Sequence, residues 1–221
     1  NTKVSVKESG RYISCDPKVA YYSTKLQTER LETLRFAKEL RNELNRPLAI
    51  CDPFCGVGPA LSTLIAEEGL AGNILASDLN SSAVELLFEN LKRWDKREYP
   101  TKSEKLQQYY DDRIVGLADA TKLSQNPQYS GKWDMVLVNL PHRTIEFLPA
   151  LIPLLNRSNV SLIRGRVIVA ESDIPSANKK INEILPPIVA SKPKPELKIK
   201  RDYSSALRLC SFEAWIEKDI T

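Results

Sequence analysis

From residue 48 onward the chain alternates short apolar runs with amphipathic segments, and this alternation limits its fold more than any other feature. Residues 48–52, 73–78, 113–117, 135–139 and 166–171 read as strands. Residues 59–67, 82–94, 145–155 and 176–185 read as helices, the third interrupted by prolines. The helix at 82–94 opens on a capping box, Ser82 with Glu85, and the polar stretch 95–108 reads as a loop. Short apolar strands separated by helices belong in a parallel sheet covered on both faces. The ending breaks that rhythm: residues 197–200 and 207–216 are strand-like with only a polar stretch between them, so an antiparallel hairpin is expected at the sheet edge.

Ahead of the alternation, residues 3–6 and 11–14 form a short N-terminal β-hairpin around Glu8-Ser9-Gly10. Residues 28–45 carry Leu31, Leu34, Phe36, Ala37, Leu40 and Leu44 at helical spacing, closed by Pro47. The expected organisation is residues 1–26 as a remnant of a substrate-recognition region and residues 27–221 as one α/β domain. At 221 residues and 42% apolar content the chain can bury one substantial core. No apolar run approaches the roughly 20 residues that span a bilayer, so no membrane association is expected. The polar N-terminus points to a cytoplasmic protein. The first residue is Asn1 rather than Met, so a missing N-terminal domain or a partner subunit enters the expectation, and the sequence leaves the oligomeric state open. Four cysteines without paired CxxC spacing and a single histidine, His142, predict neither a metal site nor a disulfide framework. The net charge of +4 permits a polyanionic partner. Basic clusters lie at Lys92, Arg93, Lys96 and Arg97 and again at Lys192, Lys194, Lys198, Lys200 and Arg201.

The residues that carry chemistry fall at strand ends, where open α/β sheets bind ligands. Asp52-Pro53-Phe54-Cys55-Gly56-Val57-Gly58-Pro59 follows the first parallel strand. Gly56 and Gly58 let the backbone turn sharply near a ligand, or simply make a tight turn. A dinucleotide loop expects a third glycine where this chain has Leu61, and Pro59 removes a donor that a phosphate would use. The loop therefore suits a ligand without phosphates, such as S-adenosylmethionine. Asp78, followed by Leu79 and Asn80, ends the second strand, where a carboxylate can accept both ribose hydroxyls or cap the next helix. Asp119, followed by Ala120, is placed to meet an adenine amino group or to sit in an ordinary turn. Asn139-Leu140-Pro141-His142 ends the fourth strand. Asn139 offers a donor and an acceptor to a nucleobase, Pro141 stiffens the turn and leaves carbonyls towards the site, and His142 either stacks on a base or is an exposed turn residue. The cofactor-binding set is Asp52, Phe54, Cys55, Gly56, Val57, Gly58, Asp78, Leu79, Asp119, Ala120, Asn139 and Pro141.

Three of these stretches, the Asp-Pro-Phe-Cys-Gly-Val-Gly-Pro loop, the Ala-Ser-Asp-Leu-Asn strand end and Asn-Leu-Pro followed by Glu146-Phe147-Leu148-Pro149, resemble the archaeal and eukaryotic tRNA guanine N1-methyltransferases that act beside the anticodon. The run Tyr22-Ser23-Thr24-Lys25-Leu26-Gln27-Thr28-Glu29-Arg30 is similar to that family's Ser-Pro-x-Leu-x-Thr-Glu-Arg segment, with Thr24 in place of Pro, and Leu197-Lys198-Ile199-Lys200-Arg201 to its late strand. The resemblance implies a Rossmann-like class I methyltransferase fold, S-adenosylmethionine as cofactor and RNA, above all tRNA, as partner. It implies Glu29 as general base, Arg30 as stabiliser of charge on the guanine oxygen and Asn139 as the residue that positions the base. On this resemblance nearly all of the family's N-terminal tRNA-recognition region is expected to be missing from the chain. The related wybutosine-pathway aminocarboxypropyltransferase shares the Glu-Arg segment and Arg143-Thr144-Ile145-Glu146-Phe147, but usually lacks Asn-Leu-Pro and has Glu at the ribose position. Methylation of an exocyclic amine, N2 or N6, and a noncatalytic RNA-binding module are the other rivals; a nicotinamide oxidoreductase is disfavoured by the missing third glycine.

Overall fold

The computed structural model describes residues 2–20 and 22–219. The chain forms two compact units, one ending at Ala120 and the other beginning at Thr121. No helix among the described residues is long and apolar enough to cross a membrane.

The first unit opens on the hairpin β1 (Val4–Glu8) and β2 (Arg11–Cys15), antiparallel, turning at Ser9 and Gly10 with positive φ at both. Helix α1 (Gln27–Leu44) follows a 3-10 turn at Thr24–Leu26 and stops at Asn45 in the left-handed region. Then come β3 (Leu48–Asp52), α2 (Pro59–Ala66), β4 (Ala71–Asp78), α3 (Ser81–Asp95), β5 (Gln107–Tyr110) and β6 (Arg113–Leu117). The four sheet strands lie in the order β5-β6-β4-β3, with β3, β4 and β6 parallel and β5 antiparallel on the edge of β6. Strand β5, which the sequence reading lacked, overlaps the loop expected over 95–108 only at Gln107 and Gln108. Its Gln-Gln-Tyr-Tyr sequence is at most half-buried, so an edge strand here needs no apolar alternation. The capping box is a correction. Asn80 caps α3, its Oδ1 accepting from Ser82 and Ala83 N–H at 3.0 and 3.3 Å, while Glu85 accepts from Ser103 N–H instead. The buried face of β2 (Ile13, Cys15) joins Val57, Leu61, Val84, Leu87, Phe88 and Leu91 in one apolar cluster.

The second unit carries β7 (Met135–Val138), α4 (Thr144–Leu151), β8 (Ser161–Ala170), α5 (Ile174–Ile184), β9 (Lys198–Asp202) and β10 (Leu207–Ile216). Its strands lie in the order β7-β8-β10-β9: β7 and β8 are parallel, β10 runs antiparallel to β8, and β9 closes the hairpin. The antiparallel C-terminal hairpin expected from the sequence is present. Strand β8 begins five residues before the expected 166, because Arg164, Gly165 and Arg166 interrupt the apolar run yet all lie within the sheet. Arg164 is paired at 3.0 Å with its register partner Glu213, and both side chains are nearly buried. Gly165 makes room for Phe212, since a Cβ there would sit 2.3 Å from the Phe212 ring. A Gly165→Ala change should therefore destabilise the protein by about 1–3 kcal/mol through overpacking. Urea unfolding will read this as a lower midpoint at unchanged slope.

Candidate functional site

Strand β3 delivers buried Asp52 to the sheet edge, and the backbone turns at once through residues 53–58. Gly56 and Gly58 both have positive φ, 54° and 83°. At Gly58 a Cβ would also meet Leu87 Cδ1 at 2.7 Å, so conformation and space both require glycine there. Three of the loop N–H groups are spent internally: Cys55 N donates to Ser77 O at 3.0 Å, Gly56 N to Asp78 Oδ2 at 2.9 Å and Gly58 N to Cys55 O at 2.8 Å. Pro59, at the first position of α2, has no N–H. A phosphate cradle needs such donors in the open, and at these four positions none is.

Asp78 is the junction of three strand ends. Its Oδ2 accepts from Gly56 N after β3, its Oδ1 accepts from Asn80 N at 2.9 Å, and its carbonyl accepts from Ala118 N after β6 at 3.2 Å. The carboxylate remains half-exposed, so its other lone pairs point to a ligand as readily as to water. Leu79 beside it is 73% exposed, an apolar side chain standing clear of the strand end. Half-buried Asp119 and buried Ala120 follow β6, and Phe54 is half-buried. The structure therefore gathers Asp52, Phe54, Cys55, Gly56, Val57, Gly58, Asp78, Leu79, Asp119 and Ala120 at the adjacent carboxyl ends of β3, β4 and β6. Burial, with Asp52 and Asp78 nearby, pushes the Cys55 thiol well above its usual range, so it stays protonated and packs as an apolar group.

Asn90, on α3 and fully buried, holds the loop from behind, and no motif marked it. Its Oδ1 accepts from Ser14 N at 2.7 Å, and its Nδ2 donates to Ser14 O at 3.0 Å and to Val57 O at 2.9 Å. The one available signal was an amide placed between Leu87, Leu91 and Trp94 on the apolar face of a helix.

Glu29 and Arg30 open α1 and are buried, 6% and 3% exposed. The ordinary surface chemistry of a Glu-Arg helix start does not apply to them. Arg30, expected to stabilise charge on the guanine oxygen, is engaged by partners within its own unit. Its Nε and one terminal nitrogen grip both oxygens of buried Glu8, at 2.5 and 2.6 Å, and the same terminal nitrogen donates to Ser23 O at 2.8 Å. Tyr22 donates its hydroxyl to the same Glu8, and burial with that carboxylate holds its phenol far above the usual range. Arg30 thus ties the Ser23–Glu29 segment to the hairpin.

In the second unit Asn139 follows β7 and is half-buried, and its Oδ1 accepts from a terminal nitrogen of Arg166 at 2.7 Å. Pro141 is half-buried. The carbonyls expected to face a ligand turn inward instead: Pro141 O accepts from Ile168 N at 2.9 Å, and Leu140 O from Arg143 N at 2.9 Å and the Thr144 hydroxyl at 3.0 Å. His142 is an exposed turn residue, its ring edge-on to Tyr203.

Residues 4–172 match the family model described as the TRM5/TYW2 methyltransferase domain. A tRNA (guanine(37)-N(1))-methyltransferase of Paramecium tetraurelia is 28% identical over 143 residues, 65% of this chain and 31% of that protein. The chain thus spans about a third of that relative's length. The crystal structure of Trm5b from Pyrococcus abyssi superposes with a TM-score of 0.70 at 22% identity, over 98% of this chain and 56% of that one. That of M. jannaschii TYW2 in complex with AdoMet gives 0.70 at 20% identity, over 99% of this chain and 88% of that one.

Replacing Asn90 by Leu removes three hydrogen bonds and leaves the Ser14 and Val57 backbone groups buried without partners. The expected loss is about 2–4 kcal/mol. Hydrogen exchange at the Cys55, Gly56 and Gly58 amides should accelerate by more than at β7 or β8; uniform acceleration would mean that Asn90 does not act on the loop.

Proposed function

Because the chain belongs to the TRM5/TYW2 methyltransferase family, we propose that it transfers a methyl group from S-adenosylmethionine to an RNA base, with guanine N1 beside the tRNA anticodon as acceptor. The observation that carries this reading is Asp78, whose carboxylate is fixed by the Gly56 and Asn80 amides at the meeting of three strand ends. A carboxylate so held takes a ribose diol with little reorganisation. It also turns away a pyrophosphate, which the spent loop amides could not have bound. With Asp52 and Asp119 at neighbouring strand ends, the edge is electronegative and suits a ligand bearing sulfonium and ammonium charge.

The cofactor supplies an activated methyl: the carbon–sulfur bond breaks as the nitrogen–carbon bond forms, and the electron pair leaves with sulfur. The chain's own residues then have two tasks, to align the acceptor and to remove its proton. Guanine N1 is a poor nucleophile until it loses that proton, and Glu29 is assigned as the base that takes it. Arg30 serves by holding Glu29's segment against the hairpin. Asn139 holds the base edge, after the nucleotide has left its stack.

Labelled S-adenosylmethionine and deproteinised tRNA, followed by nucleoside mass spectrometry, test the reading directly. A methyl on N1 of guanosine is expected; no labelled nucleoside from any RNA would end it. Glu29→Gln should lower kcat by about 100-fold or more, with the Kd for S-adenosylhomocysteine unchanged. Turnover of this variant at the parent rate across the pH range would remove Glu29 from the mechanism. Asp78→Ala should weaken S-adenosylhomocysteine about 10- to 100-fold by calorimetry, the loss of a charged hydrogen-bond acceptor.

A further inference from the structure

The amide of Asn139 has a forced orientation. An arginine side chain has donors and no acceptor, so the atom of Asn139 facing Arg166 at 2.7 Å must be the oxygen. Arg166 is 7% exposed, and its strand is tied to the same loop through its own carbonyl, which accepts from the Thr144 hydroxyl at 2.6 Å. The planar amide therefore turns its Nδ2 away from the guanidinium. No described residue accepts a hydrogen bond from that Nδ2, although Asn139 is half-buried. A donor pair held in place without a partner at a strand end is arranged for something outside the protein.

We propose that Arg166 is a positioning residue for the acceptor base: by occupying the oxygen of Asn139 it leaves that side chain with only donors to offer, which read a ring carbonyl and hold the charge that forms there. This rests on the methyltransferase reading above and adds a residue that reading does not use. Loss of a proton from a lactam nitrogen spreads negative charge onto the adjacent carbonyl oxygen. An N–H whose own amide oxygen is bonded to a cation is a stronger donor, because successive hydrogen bonds polarise one another. The buried guanidinium thus acts on the oxygen through Asn139, the part that the sequence had suggested for Arg30. An exocyclic amine meets the opposite situation: its hydrogens need an acceptor, and the side-chain oxygen of Asn139 lies against a positive charge that repels them.

The effect belongs to the transition state, so it should appear in kcat more than in KM. In the full chain with S-adenosylmethionine and the RNA it methylates, Arg166→Met should lower kcat about ten-fold or more, while the Kd for S-adenosylhomocysteine stays within two-fold. Arg166→Lys, which keeps a donor, should recover most of the loss. Asn139→Asp tests the same idea without touching the buried position. It keeps a partner for Arg166 but offers no N–H, and should fall as far as Asn139→Ala. The proposal is overturned if Asn139→Asp turns over like the parent, if Arg166→Met keeps the parent kcat, or if its loss is matched by equal losses in cofactor affinity and melting temperature with no rescue by lysine. A methyl found on an exocyclic amine overturns it too, yet leaves the methyltransferase reading standing. No transfer to any RNA removes both.

Discussion

The candidate cofactor edge depends on one buried amide. Asn90 has no exposure and satisfies both ends of its side chain with backbone, joining the β2 strand at Ser14 to the glycine loop at Val57. A loop with two residues at positive φ and three of its N–H groups turned inward has little rigidity of its own, so its shape must be imposed from outside. Asn90 does this from α3, and the same helix binds the hairpin again where Trp94 donates to Tyr12 O at 3.0 Å. The N-terminal hairpin is thereby part of the frame of the first unit's sheet edge. Asn80 extends the frame, donating to Val19 O at 2.6 Å while capping α3 and meeting Asp78 with its N–H.

Much of this was legible in the sequence, and what was legible shares a physical cause. Strands β3, β4, β6 and β7 are short runs buried on both faces, and helices α1 and α3 show their apolar stripe at helical spacing. The glycine loop, Asp78 and Asp119 could be placed because the topology puts ligands at carboxyl strand ends. The residues missed are those whose meaning lies in a distant partner. Arg164 and Arg166 look like the end of an apolar run until Glu213 and Asn139, 49 and 27 residues away, are brought to them. Glu8 looks like a turn residue until Arg30 arrives, and only then is a carboxylate at 4% exposure explicable.

Charge was the least readable property. The cluster at 92–97 suggested a basic face, but Lys92 pairs with Glu98, Arg93 bonds Tyr12 O and Arg97 pairs with Asp112. In the later cluster Lys198 pairs with Glu213, and Lys192 sits 3.9 Å from the Trp215 ring centroid. A count of cations along a chain ignores such partners, some of them anionic and some neutral, which the fold decides.

What the two units do present is a division of hydrogen-bonding polarity. In the first, the strand ends offer acceptors: Asp78 is held by two amides, Asp52 and Asp119 lie nearby, and three donors of the glycine loop are consumed. Such an edge favours a ligand that brings its own donors and positive charge. In the second, the strand end offers donors: the oxygen of Asn139 is taken by Arg166, and the Leu140 and Pro141 carbonyls are satisfied within the unit. Such an edge favours a group that becomes negative. The proposed methyl transfer makes both demands, since its electrophile carries positive charge and its nucleophile acquires negative charge.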